Sequence, residues 1–509
     1  MPRQNNAAIS IAVFIAGLCS IIYELLISTT ATYFLGNSVK QFSVIIGIYL
    51  ASMGLGAWFS KFLKDNSLLF FIRMEYVLGL IGGISVPLLY YFFIVLPPAE
   101  MQYMTWLLIF VIGLITGLEV PLLTFAVKQA SIKDSLSNIL SLDYIGGLAA
   151  TLLFPFVLLP FIGLYYSSLL FGLVNVVLGL FMVSQLDSKR LANSLWSVIP
   201  AAILVLLMVF GNKLLHAWDM KIYKAPIAYH KQTPHQLIVL TKKGEDVRLY
   251  LNRVIQFSSL DEHRYHETLV HPVMMAHPSP KRILVLGGGE HLAAREILKH
   301  KSVEHIDIVD LDTTIFHLAK THPLLKRINQ NSAVDARITQ IGDDAMTYLA
   351  NTPNYYDIII SDLPDPNSEA TAKLYTRQFF ALAKNRLTSD GIFITQAGEI
   401  YFSNTAFSCI VNTMETVFDT TSLYHTYVPS FGDWGFVIGA KKPIHSEAES
   451  QTLPERTRYL TLDNIGSLAK LPSDINVVHT SINSLDHPVI LNYYLDDWNK
   501  WKPDLVDQM

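Results

Sequence analysis

The stretch RILVLGGGEHLAAREILKH, residues 282–300, decides the fold of the second half of this chain. Its first six residues have the short, aliphatic character of a buried strand, and the spacing returns to a helical one after residue 291. Between the two lie Gly287, Gly288 and Gly289, and the first side chain after them is the carboxylate of Glu290. Open α/β sheets bind their ligands beyond the carboxyl ends of the strands, so this turn marks a binding edge.

Outward from the turn, VDLD closes the next strand at Asp310. An acid about 20 residues after a glycine turn can accept hydrogen bonds from ribose hydroxyls, so the pair points to an adenosine ligand. A dinucleotide fits poorly. Its fingerprint wants a third small residue at 292, where this chain has Leu292, and Glu290 would repel a pyrophosphate at the helix N-terminus. The G-K-[ST] ending of a P-loop is also absent. S-adenosylmethionine carries a carboxylate of its own. Its decarboxylated form carries only a sulfonium and an ammonium, and an acid at 290 attracts both. More acids follow at strand ends. IGDDAMTYL places Asp343 and Asp344, and ISDLPDPN places Asp362 and Asp365 beside Pro364 and Pro366, which stiffen the loop. Two carboxylates three residues apart on such a loop can converge on one cation.

Further strands are read at HIDIVDLD, ARITQIG, YDIIISDL, GIFITQA and WGFVIGA, alternating with helical spacing, which predicts a doubly wound parallel sheet. Upstream, HQLIVLTKKGEDVRLYLNRVIQF alternates apolar and polar residues about a Lys-Gly turn at 243–244, a small β-hairpin region. DEHRYHETLVHPVMMAH has helical spacing, with His271 and His277 before prolines as candidate helix ends. The histidines of HETLVH stand five apart, off one helical face, so H-E-x-x-H zinc chemistry is not expected and no metal is assigned.

The first half is different. The chain has 509 residues, 51% hydrophobic and only 16% charged, too apolar for a wholly soluble enzyme. Apolar runs at about 7–34, 42–60, 74–96, 104–127, 139–160, 162–184 and 194–212 each approach the roughly 20 residues a membrane span needs. The fifth and sixth are parted only by LLPFIG, and merging them gives six. Basic residues gather on one set of loops: Arg3; Lys61, Lys64 and Arg73; Lys128 and Lys133; Lys189 and Arg190. The positive-inside rule then puts the N-terminus in the cytoplasm and, with seven spans, the soluble half outside; with six, the soluble half faces the cytoplasm. Glu24, Glu75, Glu119 and Asp143 fall in or near these spans, either as helix-packing groups or as a lining for a cationic solute. A formal net charge of −4 gives no footprint for nucleic acid, and Cys19 and Cys409 form neither a metal spacing nor a disulfide framework.

Taken in order, YHKQTPHQLIVL, QFSSLDEHRYHETLVHPVMMAHPSPKRILVLGGGE, VDLD, ISDLPDPN, TQAGE and YVPSFGDWGF resemble the polyamine aminopropyltransferases, or spermidine synthases. With the apolar half, the whole resembles the bacterial membrane-embedded members. The resemblance implies a Rossmann-like, S-adenosylmethionine-methyltransferase-like α/β domain with a small N-terminal β region, behind an α-helical multi-span membrane domain. The divisions read as 1–212 transmembrane, 213–262 linker and β-hairpin, 263–445 Rossmann-like, and 446–509 a C-terminal appendage. The implied reaction moves an aminopropyl group from decarboxylated S-adenosylmethionine to putrescine, giving spermidine and methylthioadenosine. No cofactor is implied, because the sulfonium compound is a co-substrate. By position, Asp362 is implied as the catalytic acid/base. Gln236, Asp310, Asp344 and Ala345 would contact the nucleoside, and His266, Glu290, Asp362 and Asp365 the polyamine, with Tyr265 and Gln396 as further pocket residues. Two departures bear on the acceptor: Glu290-His291 stands where the family usually has Asp-Gly, and a tyrosine common before the final strand is replaced around Phe431 and Trp434. The expected partners are the two small-molecule substrates and a lipid bilayer, a bacterial inner membrane, with room for a homo-oligomer. The rival readings are a membrane polyamine transporter or sensor with a non-catalytic soluble half, and a methyltransferase using intact S-adenosylmethionine, which Glu290 disfavours.

Overall fold

A computed structural model describes residues 6–36, 38–128, 135–185, 190–443, 453–454 and 456–505. Arg3, Lys133 and Lys189 of the loop-charge argument lie outside these. The chain divides into two compact units, Met1–Lys224 and Ala225–Met509.

The first unit is built of long helices that are apolar on every face, as buried or membrane-crossing helices are. Six helical stretches are long and apolar enough to cross a bilayer: Ala7–Leu35, Val39–Phe62, Ser67–Val95, Ala99–Ala126, Ser137–Val183 and Arg190–Tyr223. The fifth has 47 residues, or about 70 Å at the helical rise, against roughly 30 Å of hydrocarbon. It is divided at Gly163, whose φ of 79° is open to glycine and strained for other residues. Just before it, Phe154–Ile162 widens into π-helical turns. The part after Gly163 packs on Ser67–Val95 in reverse order. A Cβ on Gly79 would touch Gly172 and Asn175, and one on Gly179 would touch Tyr76 and Glu75. So 139–160 and 162–184, which the sequence separates by a short loop, abut directly, with a single glycine as the joint. Glu75 and Glu119 are buried inside this unit, at 0% and 2% exposure. The expected linker after residue 212 is instead helical as far as Tyr223.

The second unit opens with a four-stranded antiparallel sheet, β1 (Ile227–Gln232), β2 (Leu237–Lys243), β3 (Asp246–Leu251) and β4 (Val254–Ser258), in that order. The Lys243–Asp246 pair closes the β2–β3 turn over Gly244. A seven-stranded sheet follows, made of β5 (Arg282–Gly287), β6 (His305–Asp310), β7 (Ile338–Gly342), β8 (Tyr356–Asp362), β9 (Leu387–Glu399), β10 (Thr420–Val428) and β11 (Gly432–Ala440). Its order is β10-β11-β9-β8-β5-β6-β7. β5 to β9 pair in parallel, whereas β11 runs antiparallel to both β9 and β10. The expected wholly parallel sheet is therefore a mixed one, since β10 and β11 form a hairpin that needs no crossover helix. The side chains of β5 alternate between two cores. Leu284 and Leu286 lie in one, Ile283 and Val285 in the other, all at 0% exposure, as expected for a strand covered on both faces.

The chain leaves β5 toward β6 and β7 on one side, then crosses to β8 and β9 on the other. The topological switch point thus lies between β5 and β8, the place where open α/β sheets bind ligands. The helix Glu262–Ala276 packs beside it and runs through Pro272 to a cap at His277, so His271 does not end it. The last helix, Ile490–Leu505, is docked rather than appended. Asp497 accepts hydrogen bonds from the backbone N–H groups of Thr405 (2.8 Å) and Ala406 (3.2 Å) and from the Thr405 hydroxyl (2.9 Å). It thereby neutralises the exposed amides at the start of the helix Asn404–Glu415.

Candidate active site

Parallel pairing puts Gly287 directly opposite Asp362 at the carboxyl ends of β5 and β8. The two backbones are so close that a Cβ on Gly287, at φ 81°, would lie 2.0 Å from the Asp362 carbonyl oxygen. Three groups converge on this point. His266 Nε2 lies 3.8 Å from Glu290 Oε1 and 4.0 Å from Asp362 Oδ2, and one ligand-type atom from each residue falls within 4.8 Å of the others. The helix Glu262–Ala276 brings His266, the glycine turn Glu290, and the end of β8 Asp362.

Asp362 and Asp365 are both tuned by their surroundings. Burial, then the nearby charge of Glu290, pushes Asp362 up to about 6, against the opposing pull of His266 and of the Tyr265 hydroxyl, which donates to Asp362 Oδ1 at 2.7 Å. Burial also raises Asp365 to about 6. Its Oδ1 accepts from Gln396 Nε2 at 3.2 Å and its Oδ2 from the Tyr494 hydroxyl at 3.1 Å. His266 goes the other way. Burial disfavours its charged ring, yet hydrogen bonds with Glu262 and Glu290 outweigh burial and raise it to about 10. Its Nδ1 donates to Glu262 Oε2 at 2.9 Å, and Glu262 in turn accepts from Arg295 at 2.8 and 2.9 Å. These hydrogen bonds favour the charged form of the His266 ring, so the His266–Glu290–Asp362 cluster sets two acids around one ring held toward imidazolium. The other histidine and acid of HETLVH point elsewhere. His271 meets Glu296 and His300, and Glu267 accepts backbone N–H groups from Arg458, Tyr459 and Leu460.

Asp310 and Asp344, expected at the nucleoside, follow at the ends of β6 and β7. Asp310 Oδ2 accepts from Gly289 N–H at 3.2 Å, which ties the end of β6 to the glycine turn, and burial pushes the carboxyl up to about 7. Gln236 donates to Asp312 Oδ2 at 3.1 Å, beside the Thr233 hydroxyl on the same oxygen at 2.7 Å. Asp344 caps the helix Ala345–Asn351 through Met346 and Thr347 N–H and pairs with Lys373 at 2.6 Å, while Asp343 accepts from the Asp344 backbone N–H. Ala345 begins that helix and is buried. Among the expected residues, His266, Glu290, Asp362 and Tyr265 touch or face one another, and Asp365 joins Gln396. Gln236 and Asp344 are engaged with protein partners. His291, where a glycine is usual in the resembling family, sits at φ 71°, the left-handed conformation in which glycine is at ease.

Sequence reasoning missed Glu262, Arg295, Tyr375 and Tyr494. Tyr375 donates to the Pro364 carbonyl at 2.9 Å and meets Gln396 Nε2 at 2.6 Å, holding the loop that carries Asp365. Glu262 stands four residues before His266 on one helix, a spacing that was a usable signal; Tyr494 is too remote in sequence for any. Trp434 donates to Gln396 Oε1 at 3.2 Å, and its ring and that of Phe431 pack around Tyr265.

Residues 262–449 match the spermine/spermidine synthase domain. The whole chain is similar to the polyamine aminopropyltransferase of Leptospira interrogans, at 38% identity over 97% of this chain and 99% of that protein. It is similar also to polyamine aminopropyltransferase 2 of Ralstonia nicotianae, 35% identical over 98% and 99% of the two chains, and to polyamine aminopropyltransferase 2 of Aquifex aeolicus, 35% identical over 96% and 98%. A crystal structure of spermidine synthase in complex with the transition-state analogue AdoDATO aligns over 48% of this chain and 86% of that one, at 25% identity and a TM-score of 0.46.

Proposed function

The chain belongs to the polyamine aminopropyltransferase family, and on that premise we propose that it transfers the aminopropyl group of decarboxylated S-adenosylmethionine to putrescine, giving spermidine and methylthioadenosine. The observation that carries this reading is the ring of acids at the switch point. Asp362 and Glu290 face His266, whose ring is held toward its charged form, and Asp365 adds a further buried carboxylate on the same loop, an excess of negative charge suited to cationic substrates. Intact S-adenosylmethionine would bring its own carboxylate toward Glu290, which argues against methyl transfer. A non-catalytic transporter or sensor gives way for a different reason: the similarity to enzymes runs the length of the chain.

In the proposed reaction the acceptor binds as an alkylammonium with an ordinary pKa of about 10 and must lose one proton before attack. Asp362 takes that proton, directly or through water. Its raised carboxyl makes it a stronger base than an ordinary aspartate while leaving it ionised at neutral pH. The freed amine attacks the propyl carbon next to the sulfonium. The C–S bond breaks as the C–N bond forms, and neutral methylthioadenosine leaves with the bonding pair. The sulfonium is its own leaving-group activation, so the protein's share is positioning and charge. Glu290 and Asp365 hold the diamine by charge-assisted hydrogen bonds. Asp310 takes the ribose, and Gln236, Asp344 and Ala345 line the nucleoside side. Gln236 and Asp344 would then exchange or share their present partners when it binds. The first unit is proposed to cross a bacterial inner membrane, on the strength of six long apolar stretches.

The test is product formation by the purified full-length protein given either S-adenosylmethionine or its decarboxylated form, with a panel of amines. Spermidine from putrescine with only the decarboxylated donor is the expected result. Methylated product, or turnover only with the intact donor, would replace this reading.

A further inference from the structure

The oxygens of Asp365 are held by donors from two directions. Gln396 reaches Oδ1 from within the main sheet, at the end of β9. Tyr494 reaches Oδ2 from the C-terminal helix, which lies beyond the 262–449 domain match. The Gln396 amide is divided among three acceptors, the Leu363 carbonyl (2.8 Å), the Tyr375 hydroxyl (2.6 Å) and Asp365. The Tyr494 hydroxyl has Asp365 as its hydrogen-bonding carboxylate, and its ring is backed by Trp498. Among the described residues no lysine, arginine or histidine forms an ion pair with Asp365. Its donors are neutral, so an arriving ammonium would be the first full positive charge it meets.

The helix that carries Tyr494 is fixed at several points. Asp497, one turn on, caps the helix Asn404–Glu415. The fully buried Asn483 donates to the carbonyls of Ala372 (3.2 Å) and Tyr375 (3.0 Å) and accepts at Oδ1 from Ile490 N–H (3.4 Å) where the last helix begins. Tyr375 is the residue that braces the Asp365 loop, so one side of the carboxylate and the helix opposite are pinned to the same strip of backbone. A hydroxyl held this way is preorganised: it can keep donating to Asp365 while its lone pair accepts from an N–H of a cation on that carboxylate.

We infer that Tyr494 is a specificity-determining residue of the acceptor site, one that holds the distal alkylammonium of the diamine jointly with Asp365. This rests on the aminopropyl-transfer reading above. The distal ammonium takes no part in bond making, so Tyr494 acts on binding of the acceptor and not on the chemical step. Tyr494→Phe keeps the ring and removes only the hydroxyl. In the full-length protein it should raise KM for 1,4-diaminobutane by at least ~10-fold, the scale of one hydrogen bond to a charged group. It should leave kcat within about twofold and the affinity for methylthioadenosine unchanged. A KM within twofold of the parent, or a loss that falls on kcat or on methylthioadenosine binding instead, overturns the inference. Absence of aminopropyl transfer by the unmodified protein would be a different failure, that of the proposed function itself, and is read in the same assay before the variant is made.

Discussion

Asp362 lies where burial, a like charge and an opposite charge meet, and the balance leaves its carboxyl at about 6. A general base must be ionised to act. The donor-dependent kcat/KM at saturating amine should therefore rise with pH through an acid limb near 6, and a profile flat from pH 5 to 8 would remove Asp362 from that role. Because Glu290 raises this carboxyl, Glu290→Gln should move the limb to lower pH while weakening the acceptor's binding; a limb that stays in place or moves up would show that the two carboxylates do not sense each other. Asp362→Asn should cut turnover at least ~100-fold and leave methylthioadenosine affinity unchanged, which isothermal titration can check beside the rate. Asp362 and Asp365 were legible in the sequence because prolines frame them at a strand end. Tyr494 was not, because nothing local links it to a carboxylate 129 positions earlier.

At the level of elements, the helix Glu262–Ala276 does more than bring His266 to the cluster. On its buried side Glu262 and His266 form an ion pair closed by Arg295, which also reaches Glu296 at 2.8 Å and the Ile328 carbonyl at 2.9 Å. Glu262 is held at about 2, below its ordinary 4.5, so its contribution to stability is complete above about pH 4.5 and fades as pH falls toward 2. His266 is held at about 10, above its ordinary 6.5, so its contribution is complete below pH 6.5 and fades as pH rises toward 10. The two windows overlap between pH 4.5 and 6.5, where this pair stabilises the fold most. Arg295→Met removes one cation from two buried carboxylates, which keep His266 on Glu262 and His271 and Lys299 on Glu296, and should cost about 1–3 kcal/mol, measurable by denaturant unfolding of the purified protein; a cost under about 0.5 kcal/mol would mean the network is solvated in solution. The strands of the large sheet were readable because each is an aliphatic run of strand length. β10 escaped because TTSLYHTYV is a half-polar edge strand with no such run. The parallel prediction failed at the same edge, because alternation of strands and helices says nothing about a terminal hairpin.

For the molecule as a whole, composition separated an apolar half from an α/β half, and the structure divides the chain at Lys224. The boundary read from composition came earlier because the helix Val198–Tyr223 continues past its apolar stretch into polar residues. On the proposed membrane placement, the length of Ser137–Val183, its break at Gly163 and the reversed packing of Gly163–Val183 predict two crossings of that one run. Seven crossings would put the chain ends on opposite sides of the membrane. Paired reporters that are active on opposite faces, fused at either end, should report opposite compartments. Reporters in the same compartment would return 137–183 to a single crossing.

The contact between Gly287 and the backbone of Asp362 has a consequence for how this sequence can drift. Residue 287 cannot accept even a methyl group without displacing Asp362 on the neighbouring strand, so in a saturation library selected for polyamine-dependent growth that codon should stay fixed. Variation in acceptor preference would then accumulate on the surrounding loops and on the final helix, where a changed side chain alters the pocket and leaves Asp362 in register.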